Sequence, residues 1–324
     1  MLRELSSFTT LLESIVRPTI IGGNFAAFIL FAFFVILTAF ESKAPKRKLS
    51  KKELRLSYRT NISLFIFNSA VLSLVSTASL LILSEHYSGP GLLSYFSSPV
   101  WRAFLSLLLL DLLMYVWHRA SHHIDVLWMF HKVHHNDPCL NVSTAFRIHI
   151  VELFIITALK AAYIFTLGLD RATMLINEAI ITFFIMLHHT NISFKGEHLL
   201  GRMLIVPYLH RAHHSIKRSE HDQNYGAVFS LWDRLFGTLA ELEPVKIGIK
   251  EDSPQTFIKL VKFGFTLVNT PTELCIINFD AMIAEAAYYK AEKRNFYPGH
   301  EIHDWLEAKN EIFRQIHGDN PLAN

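Results

Sequence analysis

The chain has 324 residues and only two cysteines, Cys139 and Cys275. A disulfide-dense secreted scaffold is therefore excluded. No two cysteines lie close in sequence, which also excludes a thiolate zinc site or an iron–sulfur cluster. Charge is scarce as well: 18% of residues are charged, against roughly 25% in a soluble domain. The formal net charge is only +3, so nothing in the total speaks for nucleic-acid binding. A Gly-rich dinucleotide fingerprint, a His-Glu-x-x-His helix and a Gly-x-Ser-x-Gly elbow are all absent. There is no internal repeat and no low-complexity tract.

What is present is apolar. Hydrophobic residues make up 51% of the chain, Phe alone contributes 26, and mean hydropathy is +0.27. Thr19 to Phe40 is an uncharged apolar run of 22 residues, and Ile62 to Leu83 is another of the same length. A membrane-spanning helix needs about 20 such residues, whereas a secretory h-region has about 7–15. The first run therefore reads as a retained span. Trp101 to Trp117 predicts a third apolar helix, and Ile150 to Leu167 with Ala172 to Leu187 predict a close helical pair. Glu152, Lys160 and Glu178 make that pair less purely lipid-facing.

Between the first two spans lie eight basic residues, Lys43, Lys46, Arg47, Lys48, Lys51, Lys52, Arg55 and Arg59, against one acid, Glu53. Such a loop is expected on the cytoplasmic side. Propagating the orientation along the chain puts residues 118–149, and everything from His188 onward, on that same side. From about Ala240 the sequence turns polar. Thr256 to Phe265 suits either an interfacial helix or a packed surface helix.

Histidine is the other excess: 18 residues, more than the 13 glycines, with 14 between His118 and His221. His118 and His122 stand at i, i+4, on one helix face. His131, His134 and His135 offer i, i+3 and i, i+4 partners, and His210, His213 and His214 repeat that spacing. His188 and His189 end the helix that re-enters the cytoplasm. A lone histidine is usually a satisfied core residue, and His86, His198, His221, His300, His303 and His317 are read that way. His123 and His188 double a counted neighbour and read as supporting or surface residues. The repeated clusters need another cause. A pH sensor does not require this spacing. Neutral imidazole is the commonest protein metal ligand, and eight imidazoles exceed the capacity of one site, so a dinuclear centre is expected. Ligand type alone leaves iron, zinc, copper and nickel open. Asp111, two helical turns before His118, and Glu152, one turn after His149, are candidates to orient ligand imidazoles.

These residues resemble the fatty acid hydroxylase/sterol desaturase superfamily, whose pattern is HxxxH, then HxxHH, then HxxHH. His118/His122, His131/His134/His135 and His210/His213/His214 supply the three boxes. Asp111-Leu-Leu-Met-Tyr-Val-Trp-His118, Leu127-Trp128, Arg147-Ile-His149 with Glu152, His189-Thr-Asn191, Pro207-Tyr-Leu-His210, Asn224-Tyr-Gly226 and Leu231-Trp-Asp-Arg-Leu-Phe-Gly237 are similar to the flanking elements of that family. Ile150 stands where proline is common, a departure that bears on His149. The resemblance covers roughly residues 100–240.

The resemblance implies an all-α membrane protein of about four to five membrane helices with a cytoplasmic-side helical cap. It implies two iron ions in a non-haem site held by His118, His122, His131, His134, His135, His189, His210, His213 and His214, with His149 as a further ligand. Asp111, Glu152 and Asn191 would support them. It also implies O2-dependent hydroxylation or desaturation of a lipid, a sterol or fatty acyl chain for example. The expected division is 1–99 for N-terminal spans and basic loop, 100–240 for the catalytic segment and 241–324 for a polar helical tail. No His-Pro-Gly-Gly stretch suggests a fused cytochrome, so an external electron donor such as cytochrome b5, or ferredoxin with its reductase, is expected. The rival reading is a membrane metal transporter or metal-binding protein, but transport needs ligands along a mid-membrane path. Asn61, Asn141 and Asn191 each open an Asn-x-Ser triplet. The cytoplasmic orientation predicts that none is glycosylated, and a glycan at Asn141, detected by a glycosidase mobility shift, would refute it.

Overall fold

The computed structural model describes residues 23–75, 91–249, 253–266 and 279–317. Helices dominate these residues, and the only β-pairing among them is two isolated bridges, Leu204 with Phe229 and Ser215 with Ile247. The chain divides into two compact units at Leu267/Val268. The first unit takes in the N-terminal helices, the histidine-rich segment and the residues that follow it to position 266. Residues 241–266 are thus part of the first unit, where a separate tail was expected to begin at 241.

Among the described residues, five long helices build the frame: α1 (Gly23–Lys43), α2 (Lys51–Val75), α3 (Pro99–His123) and, after the short α4 (Asp125–His135), α5 (Ile150–Leu167) with α6 (Arg171–His189). The expected second span ran to Leu83, and its last part, 76–83, lies outside the described residues, as does 19–22 of the first. α1 from Phe25, α3, α5 and α6 are each long and apolar enough to cross a membrane.

Local chemistry sets the helix ends. Pro99 occupies the first turn of α3, where no backbone N–H is needed. α5 stops at Gly168, whose φ of 68° lets the chain turn and its N–H reach Ile164 O. α6 starts at once, because the Asp170 carboxylate caps the Thr173 N–H at 2.8 Å. This two-ended punctuation produces the tight α5–α6 hairpin. Leu110, Ile164, Met174 and Ile181 join α3, α5 and α6 in one apolar cluster. Leu37, Val142, Ala145 and Met186 seat α1 against α6 and a 3-10 turn at Val142–Phe146. Within the α5–α6 hairpin, Lys160 and Glu178 pair at 2.7 Å, so each charge finds a partner away from water.

The short helix α7 (Glu197–Leu200) leads to α8 (Pro207–His213), α9 (Arg218–His221) and α10 (Leu231–Leu235), which form a cap over one end of the bundle. Helix α11 (Phe257–Phe263) resolves the open reading of residues 256–265: Leu260 is fully buried against Leu64 of α2 and Val133 of α4, so this is a packed helix.

A buried polar knot locks α2 and α4 together. Asp137 accepts hydrogen bonds from Ser57 Oγ, Asn61 Nδ2 and Thr144 Oγ1 at 2.7–2.9 Å, and its charge is matched by Arg147 at 3.6 Å. Burial alone would raise the Asp137 carboxyl, but Arg147 and these donors hold it below its ordinary value. Arg147 donates to the Val133 and Asn136 carbonyls, to Asn61 Oδ1 and to Gln255 Oε1. The two carbonyls bracket His134 and His135, so one guanidinium fixes the helix end that carries them.

The second unit is a helical hairpin, α12 (Phe279–Lys293) and α13 (Glu301–His317), closed by Ile283, Ala308 and Ile312 and by ion pairs of Lys290 with Glu311 and Arg294 with Asp304.

Removing one member of a fully buried charge pair strands the other without water. Arg147→Met is therefore expected to cost about 3–5 kcal/mol of stability. The measurement is an unfolding midpoint in detergent, and no shift would contradict the role assigned to the knot.

Candidate metal centre

The histidines gather at the one end of the bundle where α3 finishes, α5 starts and α6 finishes. Their nitrogens fall into two groups. His118, His122, His131, His135 and His213 form one; His134, His189, His210 and His214 form the other. In each, the ligand-capable nitrogens lie within 4.8 Å of one another. The split crosses the sequence boxes. His134 and His135 are neighbours on α4 but serve different groups, because adjacent helical residues point about 100° apart. His213 and His214 divide in the same way at the end of α8.

Second contacts fix the tautomers. The Nδ1 atoms of His118, His189 and His213 donate to the backbone carbonyls of Tyr225, Ile185 and Gln223 at 2.8, 2.6 and 2.7 Å. His131 Nδ1 donates to Glu152 Oε1 at 2.6 Å, and His122 Nδ1 to Asp222 Oδ1 at 3.1 Å. Each of these five rings therefore turns a bare Nε2 lone pair inward.

Most of those lone pairs have no protein partner other than another imidazole. Nε2 of His118, His131 and His213 is buried without a hydrogen bond. In the second group, His189 Nε2 lies 3.0 Å from both His134 Nε2 and His210 Nε2, and His214 Nε2 lies 3.1 Å from His210 Nε2. His189 has already given its proton to Ile185, and each neutral ring carries only one, so these three contacts cannot all be hydrogen bonds. Two nitrogens bound to one ion at about 2.1 Å, at right angles, sit about 3 Å apart. The spacing is that of a ligand set, and the residues fit two first-row transition-metal ions.

Burial first, and neighbouring imidazoles second, push His134 down to about 3. His131 is likewise at about 3, and His135, His210, His213 and His214 are held well below the ordinary value, burial being the main cause each time. Neutral imidazole is the form that binds a metal.

Four expected roles need correction or relocation. His149 belongs to neither group: its Nδ1 accepts the Val151 N–H at the start of α5, and its Nε2 donates to Val261 O at 3.1 Å. Both nitrogens are spent, so it is a helix cap that ties α5 to α11, not a ligand. Asp111 touches no imidazole. Its carboxylate takes the Val228 and Phe229 N–H groups and the Trp232 indole N–H at 2.8–3.1 Å. It thereby anchors the loop whose Tyr225 carbonyl orients His118. Asn191 brackets Arg47 with both side-chain atoms, tying the basic loop to the end of α6. His188, read as a supporting or surface residue, is buried and contacts His210 at a ring separation of 4.0 Å.

Sequence reading missed Asp222 and the carbonyl acceptors. Asp222 is 100 residues from His122, and a carbonyl carries no side-chain signal. Asp233 explains two flanking elements at once. Its oxygens accept the Tyr225 and Gly226 N–H groups at 2.8 and 2.9 Å, and a Cβ on Gly226 would lie 2.6 Å from Phe229 O.

A cavity opens beside the centre. His118, His131, His134, His188, His189, His210 and Glu152 form part of its wall, while Met114, Trp117, Ile148, Ile156, Ile185 and Ala227 make most of the remainder apolar.

The fatty acid hydroxylase family model matches residues 103–238, the stretch that holds both histidine groups. That stretch is a segment of the fatty acid hydroxylase/sterol desaturase type. It is 32% identical to an ornithine lipid hydroxylase of Rhizobium tropici over 41% of this chain and 40% of that protein. It is 31% identical to the alkylglycerol monooxygenase of Danio rerio, over 46% of this chain and 33% of the relative. Cholesterol 25-hydroxylase of Homo sapiens is 30% identical over 41% and 49%. The chain thus spans less than half the length of these relatives. Residues 279–313, in the second unit, match a model described as a protein of unknown function, DUF2934. No solved structure matches the chain significantly. With its apolar helices and this family, the chain is an integral membrane protein.

The lowered histidine values make a prediction for the metal-free protein. An unfolded chain protonates its histidines below about 6.5, whereas the buried rings stay neutral to about 3. The unfolded state then binds more protons, so stability falls as pH drops below about 6.5. The unfolding midpoint of chelator-treated protein should be lower at pH 5.5 than at pH 7.5, and bound metal should raise the midpoint at both pH values without removing that dependence.

Proposed function

We propose that this protein is a membrane di-iron oxygenase that hydroxylates a lipid, with His118, His122, His131, His135 and His213 around one ion and His134, His189, His210 and His214 around the other. The observation that carries the reading is the two groups of buried imidazoles, with Nε2 of His118, His131 and His213 left unpartnered, beside one largely apolar cavity. When bound, the iron pair supplies O2 activation and an oxidant for an unactivated C–H bond, chemistry that no side chain offers. The desaturase outcome belongs to the same reading and differs only in a second hydrogen loss.

The chain's own residues set the conditions. Met114, Ile148, Ile156 and Ile185 give a hydrocarbon chain a dry seat and keep water from the centre. Glu152 and Asp222 hold the Nδ1 protons of His131 and His122 and place negative charge behind a ligand set that has none of its own. Asp111 and Asp233 hold the 224–232 loop, which keeps Tyr225 O at His118. Holding one carbon close to the centre is the protein's main contribution.

The centre is proposed to face the cytoplasm. Lys46 N donates to Asn191 O at 2.7 Å, so the basic loop and the end of the helix carrying His189 share one side of the bundle. Electrons would come from an external carrier such as cytochrome b5, or ferredoxin with its reductase, met by that basic face. A metal transporter would place its ligands along a path through the membrane, and the clustering at one bundle end favours the oxygenase instead.

Purified protein should contain about two irons per chain, and removing one neutral ligand from either set should lower metal affinity by at least 10–100-fold. His213→Ala and His134→Ala test the two sets separately. Lipid extracts of cells expressing the wild type should gain a species heavier by one oxygen, and its appearance should require O2. Stoichiometric zinc without iron in anaerobically prepared protein would overturn the reading.

A further inference from the structure

His188 is the one histidine on the cavity wall that lies outside both groups. Its neighbour His189 points into the second group, and adjacent residues on a helix do not face the same way. His188 therefore lies against the cavity while its ring rests 4.0 Å from His210 and 4.8 Å from His189. The residue is 2% exposed, and its Nδ1 has no hydrogen-bond partner among the described residues. Burying such a group without a partner is costly, and native sites rarely carry one without a use. On the same wall, Glu152 Oε2 is also unpartnered, while its Oε1 holds His131. Apart from the two metal groups, most of the wall is hydrocarbon, from Met114, Ile148, Ile156, Ile185 and Ala227. A plain alkyl chain filling this space would leave both polar atoms unsatisfied.

We infer that His188 Nδ1 accepts a hydrogen bond from the substrate, so that the substrate is a lipid carrying a hydroxyl or amide N–H group beside the carbon to be oxidised, not the middle of an unsubstituted chain. The inference rests on the oxygenase reading for the reaction but on the cavity alone for the binding. The short ring separation from His210 places the heteroatom next to the reacting carbon, because a reacting atom must itself approach within about 3–3.5 Å of its reagent. A site built to hydrogen-bond its substrate also discriminates strongly against an analogue lacking that group. His188 would thus set which position along a lipid is attacked.

The test uses the full chain in detergent, stripped of metal, so that binding is read without turnover. Three probes, 1-O-octadecylglycerol, 1-octadecanol and N-octadecylacetamide, compete against a fluorescent lipid. Each is paired with the analogue in which carbon replaces the heteroatom. Wild type should prefer at least one heteroatom probe by about tenfold, the range of one buried hydrogen bond. His188→Ala should abolish that preference, while His188→Asn, whose amide can stand near the Nδ1 position, should keep part of it. Both variants should load iron as wild type does, which also reports that they fold. The inference is overturned by no preference in wild type, by a preference that survives His188→Ala, or by iron loss in His188→Ala, which would make His188 a ligand. Failure of the oxygenase reading would appear separately, as wild-type protein that forms no oxygenated lipid while still showing the binding preference.

Discussion

The constraint on which the rest depends is the burial of bare imidazole lone pairs. A buried polar atom without a partner is costly, and here seven of the nine clustered imidazoles carry one. No rearrangement of protons among neutral rings satisfies them. Only cations can, and the protein is arranged so that the lone pairs have no alternative. Five rings have their Nδ1 protons taken by Tyr225 O, Ile185 O, Gln223 O, Glu152 and Asp222. The carboxylates are kept off the centre and act through the rings.

Holding that arrangement requires stiffness at the end of a helical bundle. The membrane helices supply apolar length, but their ends would fray if left to water. The Asp137–Arg147 knot removes that freedom for α4, and Asp111 and Asp233 do the same for the loop that orients His118. Acids that a sequence reader would assign to ligands are spent on backbone N–H groups one layer further out. The centre is precise because its supports are rigid, which is a condition for positioning one carbon of a flexible lipid.

Much of this was legible beforehand. The period of the apolar runs marked the spans, and the i, i+3 and i, i+4 spacing of the boxes marked eight residues that do converge. The family resemblance placed His189 with them, which spacing could not. His149 misled because its sequence context is that of a ligand. The backbone of α5 and the carbonyl of Val261 claim its two nitrogens instead. Asp111 misled because helical periodicity does put it on the face of His118, yet the Val228–Trp232 loop reaches it first. Asp222 was missed, and His188 left as a supporting or surface residue, for the opposite reason: their surroundings in space, not any spacing along the chain, set them apart.

By itself the sequence determined the class of molecule and the donor atoms: long uncharged runs exclude water-exposed helices, and repeated imidazoles on helical faces can only converge at their ends. Tertiary structure alone decided which histidines share an ion. His134 and His135 part company, as do His213 and His214, because neighbouring side chains on a helix diverge. It also decided that His188 faces the cavity and His149 does not face the centre. The reason is general. Spacing fixes direction relative to one helix axis, but the partner at the end of that direction belongs to another segment, and only packing brings it there.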